Sequence, residues 1–559
     1  MNLATLGESS AALLLAVAMC VGDFGCATRP GLPSSERHEF TPASYGTIGA
    51  DYQANTTAFQ RAIDACAAAG GGVVRVPPGE YVLGRIFLKD NVTLHLEGGA
   101  VLRPTTETAA FPPLTGDPES NFRPEDGEGC MRRRYSLVYA FRAKNIAVEG
   151  RGKILGDGKA FWVVKNTGDF PKWKTWAPAY YYKARAVRPF LVLLEQCENV
   201  LLRDITLEDA PVYGVWFAGC RHARCQNVTV CNDLAGPNTD GFHFSSCRDV
   251  HITDCHFTCG DDCIAIDGNY KGASGNFTIT GCIFKTTVNC FRIFTGLDAG
   301  RPDRPARGRV SDVSASNCSV EDASGVFNVI ADRGDIERLV FSNFSINMDQ
   351  RGTAFFLLTR RGGAIQNLLL RNMAIRTDGL GVISGEDGGT IRDVMLDGVS
   401  YDVYPRTKLY GNGFPDPVPN YGQAHNAPYN LFLRHAKNLR LQNLHVNWRD
   451  ADLADLHHVP NGKDHWPCIQ ARNIEGLDIR GVVCSPFGRG EPAILLENVA
   501  NATLADCRAQ PGTQTFLRLA GACKNIRLIH NDLSQAVKSH DALPSLHSEI
   551  HEHSNTLRP

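Results

Sequence analysis

Arg248–Phe257 reads RDVHITDCHF, and 27 residues on Gly275–Phe284 reads GNFTITGCIF. Both stretches begin with a Gly or polar residue, alternate apolar and polar positions, kink at Asp254 or Gly281, and run into a second short apolar pair. Period-2 alternation over short segments bounded by Gly, Asn and Asp specifies strands, because successive strand side chains point to opposite faces. The phrase recurs on both sides of this pair. Upstream stand ENVLLRDITL at Glu198 and QNVTV at Gln226. Downstream come SDVSASNCSV at Ser311, IERLVFSNFSI at Ile336, IQNLLLRNMAI at Ile365 and IRDVMLDGVSY at Ile391. KNLRLQNLHV at Lys437, IEGLDIRGVV at Ile474, NATLADC at Asn501 and KNIRLIHNDL at Lys524 complete the series. Val200, Val228, Val250 and Phe277 mark a spacing of 28, 22 and 27 residues. Strands repeating every 20–30 residues mean a solenoid, whose units bury their apolar faces only by stacking.

Leucine-rich LxxLxL spacing and propeller WD or kelch signatures are absent, which leaves a right-handed parallel β-helix. Its Asn-rich turns are expected to stack as hydrogen-bonded ladders, and its sheet faces to form a groove suited to a linear polymer. The first coil needs a cover. Thr56 or Thr57 is read as the cap of a helix over Ala58–Ala69, stopped by Gly70, Gly71 and Gly72. We expect an all-β single domain over residues 40–535, followed by a loosely ordered tail over 536–559. Aromatic- and Pro-rich insertions at 159–188 and 401–429 are read as binding loops on the solenoid.

The chain has 559 residues, with 57 basic against 59 acidic side chains and a net charge of −2. That balance argues against a nucleic-acid partner or a polybasic membrane patch. The 43% apolar content allows a large core. Ala11–Val21 (AALLLAVAMCV) has signal-peptide length, with cleavage expected after Ala27, although residues 1–10 contain no Lys or Arg. The reading is export, to the cell envelope or beyond, with residues 1–27 removed. A lipid anchor at Cys26 fits less well because Asp23 and Phe24 precede it. No other run reaches the ~18 apolar residues of a membrane span. Of 19 cysteines, eleven lie between Cys197 and Cys318 without a zinc spacing. They are read as buried thiols stacking inside the repeat, with disulfides as the alternative.

Two acidic motifs stand one coil apart: Gly236-Pro-Asn-Thr-Asp240-Gly, and Cys259-Gly-Asp261-Asp262-Cys beginning 19 residues after Asp240. Separately each is ordinary turn chemistry. Together they place Asp240, Asp261 and Asp262 on one face, where mutual repulsion should keep at least one carboxyl protonated. Hydrolysis of a glycosidic bond requires such a set, one acid to protonate the leaving oxygen and one carboxylate to activate water or attack. A calcium site is the structural alternative, since clustered Asp oxygens also suit that ion.

At this point the sequence resembles glycoside hydrolase family 28, the polygalacturonases and their pectin-degrading relatives. The resemblance covers about Tyr45–Arg333 and is carried by GGGVVRVPPGEYVLGRIFLKDNVTLHLEGGAVL (Gly70–Leu102), GKILGDGKAFW (Gly152–Trp162), RPFLVLLEQCENVLLRDITLEDAPVYGVWF (Arg188–Phe217), NTDG and GDDCIAI. It implies a parallel β-helix, Asp261 as general acid, Asp240 and Asp262 as activators of the attacking water, inversion at the anomeric carbon, and Asn238 as a positioning group. An inverting pair holds its carboxyls roughly 6.5–9.5 Å apart. It also implies a polysaccharide substrate of plant cell-wall type, with no metal and no organic cofactor.

Two family elements are replaced. Asn289 stands near the expected His of Gly-His-Gly, with Arg292 close behind, and Phe327 and Val329 fall where an Arg-x-Lys pair is expected. Either Arg292 or Arg333 takes over binding of a uronate carboxylate, or the substrate unit is not galacturonate. Three rival readings stand beside the pectin hydrolase: a β-helix polysaccharide lyase, a glycosidase acting on another sugar, and a non-catalytic carbohydrate-binding solenoid. His243 and His251 read as ordinary strand-face residues, and His547, His551 and His553 as a solvated tail. A monomer is expected, because capped β-helix ends leave no edge to pair.

Overall fold

A computed structural model describes residues 39–114, 134–164, 182–270, 272–296, 308–348, 352–386, 388–404, 429–449, 465–488 and 490–557. The expected signal segment with Cys26, and most of the two aromatic insertions, lie outside these residues.

The described chain is a right-handed parallel β-helix. Its strands join into one large sheet system in which each strand pairs in parallel with its counterpart in the next coil. A column of residues shows how the repeat produces this. Val200, Ala223, Val250, Phe277, Val313, Leu339, Leu368, Val394, Leu439, Leu477, Ala502, Ile526 and Ile550 align one above another. Almost all are buried, and their strand neighbours alternate outward, so each coil adds one apolar layer to a continuous interior. Inside, Phe217 stacks on Phe244 at 4.4 Å and Phe257 on Phe284 at 5.4 Å between ring centroids. Each such ring contributes roughly 1.5–3 kcal/mol by burial.

This column corrects one sequence reading. The coil partner of Val200 is Ala223, not Val228, so QNVTV is not the start of a unit. The missed strand is Arg221–Gln226 (RHARCQ), and Thr229–Cys231 is the short second strand of the same coil. A small Ala and a Cys point inward there among charged outward residues, so its apolar alternation is faint.

The turns explain the recurrent Asn. Asn145 donates to Asn91 at 2.8 Å and Asn199 to Asn145 at 3.0 Å, forming a ladder along the outside. Asn343 and Asn372 continue the pattern on later coils. All five adopt positive φ near 52–63°, the left-handed conformation that Asn tolerates at a kink.

A helix over Tyr52–Ala68 covers the first coil through buried Ala58, Phe59, Ala62, Ile63 and Cys66. It starts earlier than the sequence suggested. Asp51 is the cap and accepts from Gln53 N at 2.9 Å, whereas Thr56 Oγ1 bonds back to Tyr52 O as an interior helical residue does. Gly70 and Gly71, at φ +91 and +122, end it.

The C-terminal segment also departs from expectation. Lys538–Asp541, Ile550–His553 and Thr556–Leu557 pair as strands with the preceding coil, so 538–557 forms a last turn of the solenoid rather than a loose tail. The sixteen described cysteines are all free; Cys231 is exposed and the others are buried. Burial drives the thiols of Cys259 and Cys263 well above their usual range, so they are packing groups beneath the acidic motifs.

Candidate active site

Two successive strands, Phe242–Ser245 and Ile264–Asp267, carry the acidic motifs at their N-terminal ends, and Asn289–Thr295 follows them on the next coil. Gly241 N donates to Asp262 O at 2.9 Å and Phe242 pairs with Ile264, so Asp240 lies over Asp262 on the neighbouring coil. Adjacent strands are about 4.8 Å apart. Asp261 stands one residue earlier, beside this pair. Asp240 is buried, and Asp261 and Asp262 are half-buried.

The local sequence is what allows this crowding. Asn238 takes φ +58 and its Oδ1 accepts from Arg188 Nη2 at 3.1 Å, while Arg188 Nη1 also donates to Pro237 O at 2.6 Å. Asn232 Nδ2 donates to Thr239 O at 3.1 Å, and Thr239 Oγ1 accepts from Gly260 N at 3.1 Å. The two motifs are thereby tied to each other. A Cβ at Gly260 would lie 2.5 Å from Thr239 Oγ1 and 2.6 Å from Asp233 O, so only glycine fits there. Asp261 Oδ1 accepts from Asp262 N at 3.0 Å, which fixes its orientation.

Electrostatics separate the three carboxyls. Burial, then the charges of Asp240 and Asp262, push Asp261 well above the usual carboxylate range. Burial and the Asp240 charge raise Asp262 to about 6, against the opposing pull of Arg292 and the Asn289 hydrogen bond. Burial raises Asp240 as well, opposed by the hydrogen bond and charge of His243 and by the charge of Arg188. Asp261 is therefore the group best placed to hold a proton near neutrality, and Asp262 is ionised there.

Asn289 is buried and donates from Nδ2 to Asp262 Oδ1 at 2.7 Å. Arg292 is also buried; its Nη1 donates to Asn328 Oδ1 at 2.7 Å, and Asn328 Nδ2 donates to Asn289 Oδ1 at 3.2 Å. Asn328 is a site residue that the sequence reading missed. Phe327 and Val329, placed above at the Arg-x-Lys positions, both point into the core, where Phe327 stacks on Phe291 at 5.7 Å. In a strand a one-residue slip exchanges the two faces. Asn328, itself fully buried, therefore lies on the opposite face of the strand from both. Arg333 does not join the cluster. It follows the strand Gly325–Asp332 at its far end, whereas Gly325 pairs with Asn289 at the carboxylate end. Eight residues of strand amount to ~26 Å.

His243 also departs from the sequence reading. It is buried, with Nδ1 3.2 Å from Asp240 Oδ2 and Nε2 2.9 Å from Asp267 Oδ2. Its position on the strand reported only that it faced outward; its partners come from neighbouring turns. The described residues form no group of three or more His, Cys, Asp or Glu side chains suited to a metal ion. None of their helices is long and apolar enough to cross a membrane.

Fold and site together define a parallel β-helix protein with a carboxylate cluster built from two successive coils. Residues 75–334 match the family model for glycosyl hydrolases family 28. A probable polygalacturonase of Vitis vinifera is 26% identical over 242 residues, covering 42% of this chain and 46% of the relative. An endo-polygalacturonase of Pectobacterium carotovorum subsp. carotovorum is 25% identical over 303 residues, covering 49% of this chain and 71% of the relative. The chain spans about half the length of several of the curated relatives it matches, 46% to 56% for three of them. A solved hyperthermoactive exopolygalacturonase of Thermotoga maritima aligns with a TM-score of 0.53 at 19% identity, covering 73% of this chain and 92% of that one. That similarity establishes the shared fold.

Proposed function

We propose that the protein is a glycoside hydrolase that cleaves a pectin-type polysaccharide with inversion. Asp261 donates the proton to the leaving oxygen, and Asp240 with Asp262 activates the attacking water. The observation that carries this reading is the register of Asp240 over Asp262 with Asp261 beside them, in surroundings that separate one protonated carboxyl from an ionised one. That division of roles is what an acid–base pair requires. The match of residues 75–334 to that family model and the similarity to polygalacturonases support the substrate class.

A second reading keeps the chemistry and changes the sugar. Beside Asp262 stands a buried amide and guanidinium network in which Asn289 and Asn328 bond to each other and Arg292 donates to Asn328. Amides suit hydroxyls better than they replace a bidentate cation. Purified protein incubated with polygalacturonan, rhamnogalacturonan and neutral glycans, with products sized by chromatography, separates the two. Release of galacturonate oligomers supports the first reading; cleavage confined to a glycan without galacturonate at the scissile bond supports the second. Ultraviolet-absorbing unsaturated products would overturn both in favour of a lyase.

A further inference from the structure

His243 contacts a carboxylate through each ring nitrogen. A neutral imidazole has a single N–H and donates through one nitrogen only, whereas both nitrogens donate when the ring is charged. Asp267 is committed on all sides: its Oδ2 accepts from Ser245 Oγ at 2.7 Å as well as facing His243, and its Oδ1 accepts from Asn269 N at 2.7 Å. Ser245 is oriented in turn by Trp216 Nε1 at 3.0 Å. Tyr213 stacks on the imidazole at 4.6 Å between centroids and 8° between planes, and Phe294 meets its edge at 6.0 Å. The ring is thus fixed from every neighbouring coil, with Asp240 at one nitrogen and Asp267 at the other.

We propose that His243 is a positioning residue: its doubly protonated ring, clamped between Asp240 and Asp267, fixes the Asp240 carboxylate and keeps it ionised beside Asp261 and Asp262. The role rests on the reading of Asp240 as a water-activating base. The charged and titratable groups facing the ring are Asp240 and Asp267 in contact, Asp262 and the stacked Tyr213, and the two carboxylates in contact dominate. Burial opposes the imidazolium, yet the hydrogen bonds to Asp240 and Asp267 raise it to about 10, in keeping with the geometry.

The test uses the full chain, with His243→Gln and the near-isosteric Asp267→Asn as variants. Nitrogen-15 NMR of the imidazole and carbon-13 NMR of the Asp240 carboxyl, assigned with Asp240→Asn, are followed from pH 5 to 8. Alongside them, kcat and KM are measured against pH on the glycan that the wild type cleaves. Wild-type His243 is expected to hold both protons across this range, and Asp267→Asn to lose one within it. In His243→Gln the Asp240 carboxyl should titrate at higher pH, and kcat at pH 5 should fall at least tenfold with KM little changed. Should His243→Gln fail to fold, Asp267→Asn carries the same readouts. A neutral wild-type ring at pH 5–8, or an Asp240 titration unmoved in the folded variants, overturns the proposal. A moved titration in a protein that cleaves no glycan upholds the clamp and overturns the hydrolase reading instead.

Discussion

Asn289 holds Asp262: its side-chain amide donates to Asp262 Oδ1 at 2.7 Å, from the next coil of the helix. This bond stabilises the ionised form, while burial and Asp240 act against it and leave Asp262 near 6. Removing the donor in Asn289→Ala should raise Asp262 further, because a hydrogen bond to a charged group contributes about 1.5–3 kcal/mol. The acid limb of kcat/KM against pH then moves upward. We expect activity at pH 5 to fall roughly tenfold or more relative to wild type, and the deficit to narrow by pH 8. A pH–rate profile with an unmoved acid limb contradicts this.

Burying Asp261 among two other carboxyls favours its protonated form. Its folded-state affinity for a proton is far above that of the unfolded chain. The sign follows directly: the folded protein loses stability as pH rises above the ordinary Asp range, near 4. Asp261→Asn removes that penalty and should stabilise the protein at pH 8 by on the order of 1 kcal/mol after allowance for its partial exposure. Thermal unfolding should shift upward by roughly 1–2 °C at pH 8, with the gain vanishing toward pH 4.

Gly260 fixes where Asp261 stands. Alanine there meets Thr239 Oγ1 and Asp233 O inside van der Waals distance. Relief requires the Cys259–Asp262 turn to shift away from the Asp240 turn. Small displacements of catalytic groups are costly, so Gly260→Ala should reduce kcat by about a hundredfold, measurable by reducing-end release. Circular dichroism should still report an intact β-helix.

The fold was readable because each coil repeats one pattern, and that pattern survives wherever inward residues are large. Where Ala223 and Cys225 face inward the signal faded, and a coil was misplaced by one strand. The three carboxylates were readable because their spacing equals a coil. The partners around them were not. Asn328 was hidden because it stands between Phe327 and Val329 on the other face of the strand, and alternation alone does not show that it bonds to Asn289 and Arg292. His243 was hidden in the same way: parity shows that it faces outward, but not that Asp240 and Asp267 converge on it from separate turns. Arg333 shows the converse error, since its distance along the strand from Asn289 was visible only once the register was known.

The central claim is that Asp261 and Asp240 perform the hydrolysis. The direct measurement is turnover of purified Asp261→Asn and Asp240→Asn, each confirmed as folded, against the best wild-type polysaccharide. We predict that kcat falls by roughly a hundredfold or more in each, as expected for loss of a general acid or base. Near-wild-type reducing-end release by both variants would contradict the assignment.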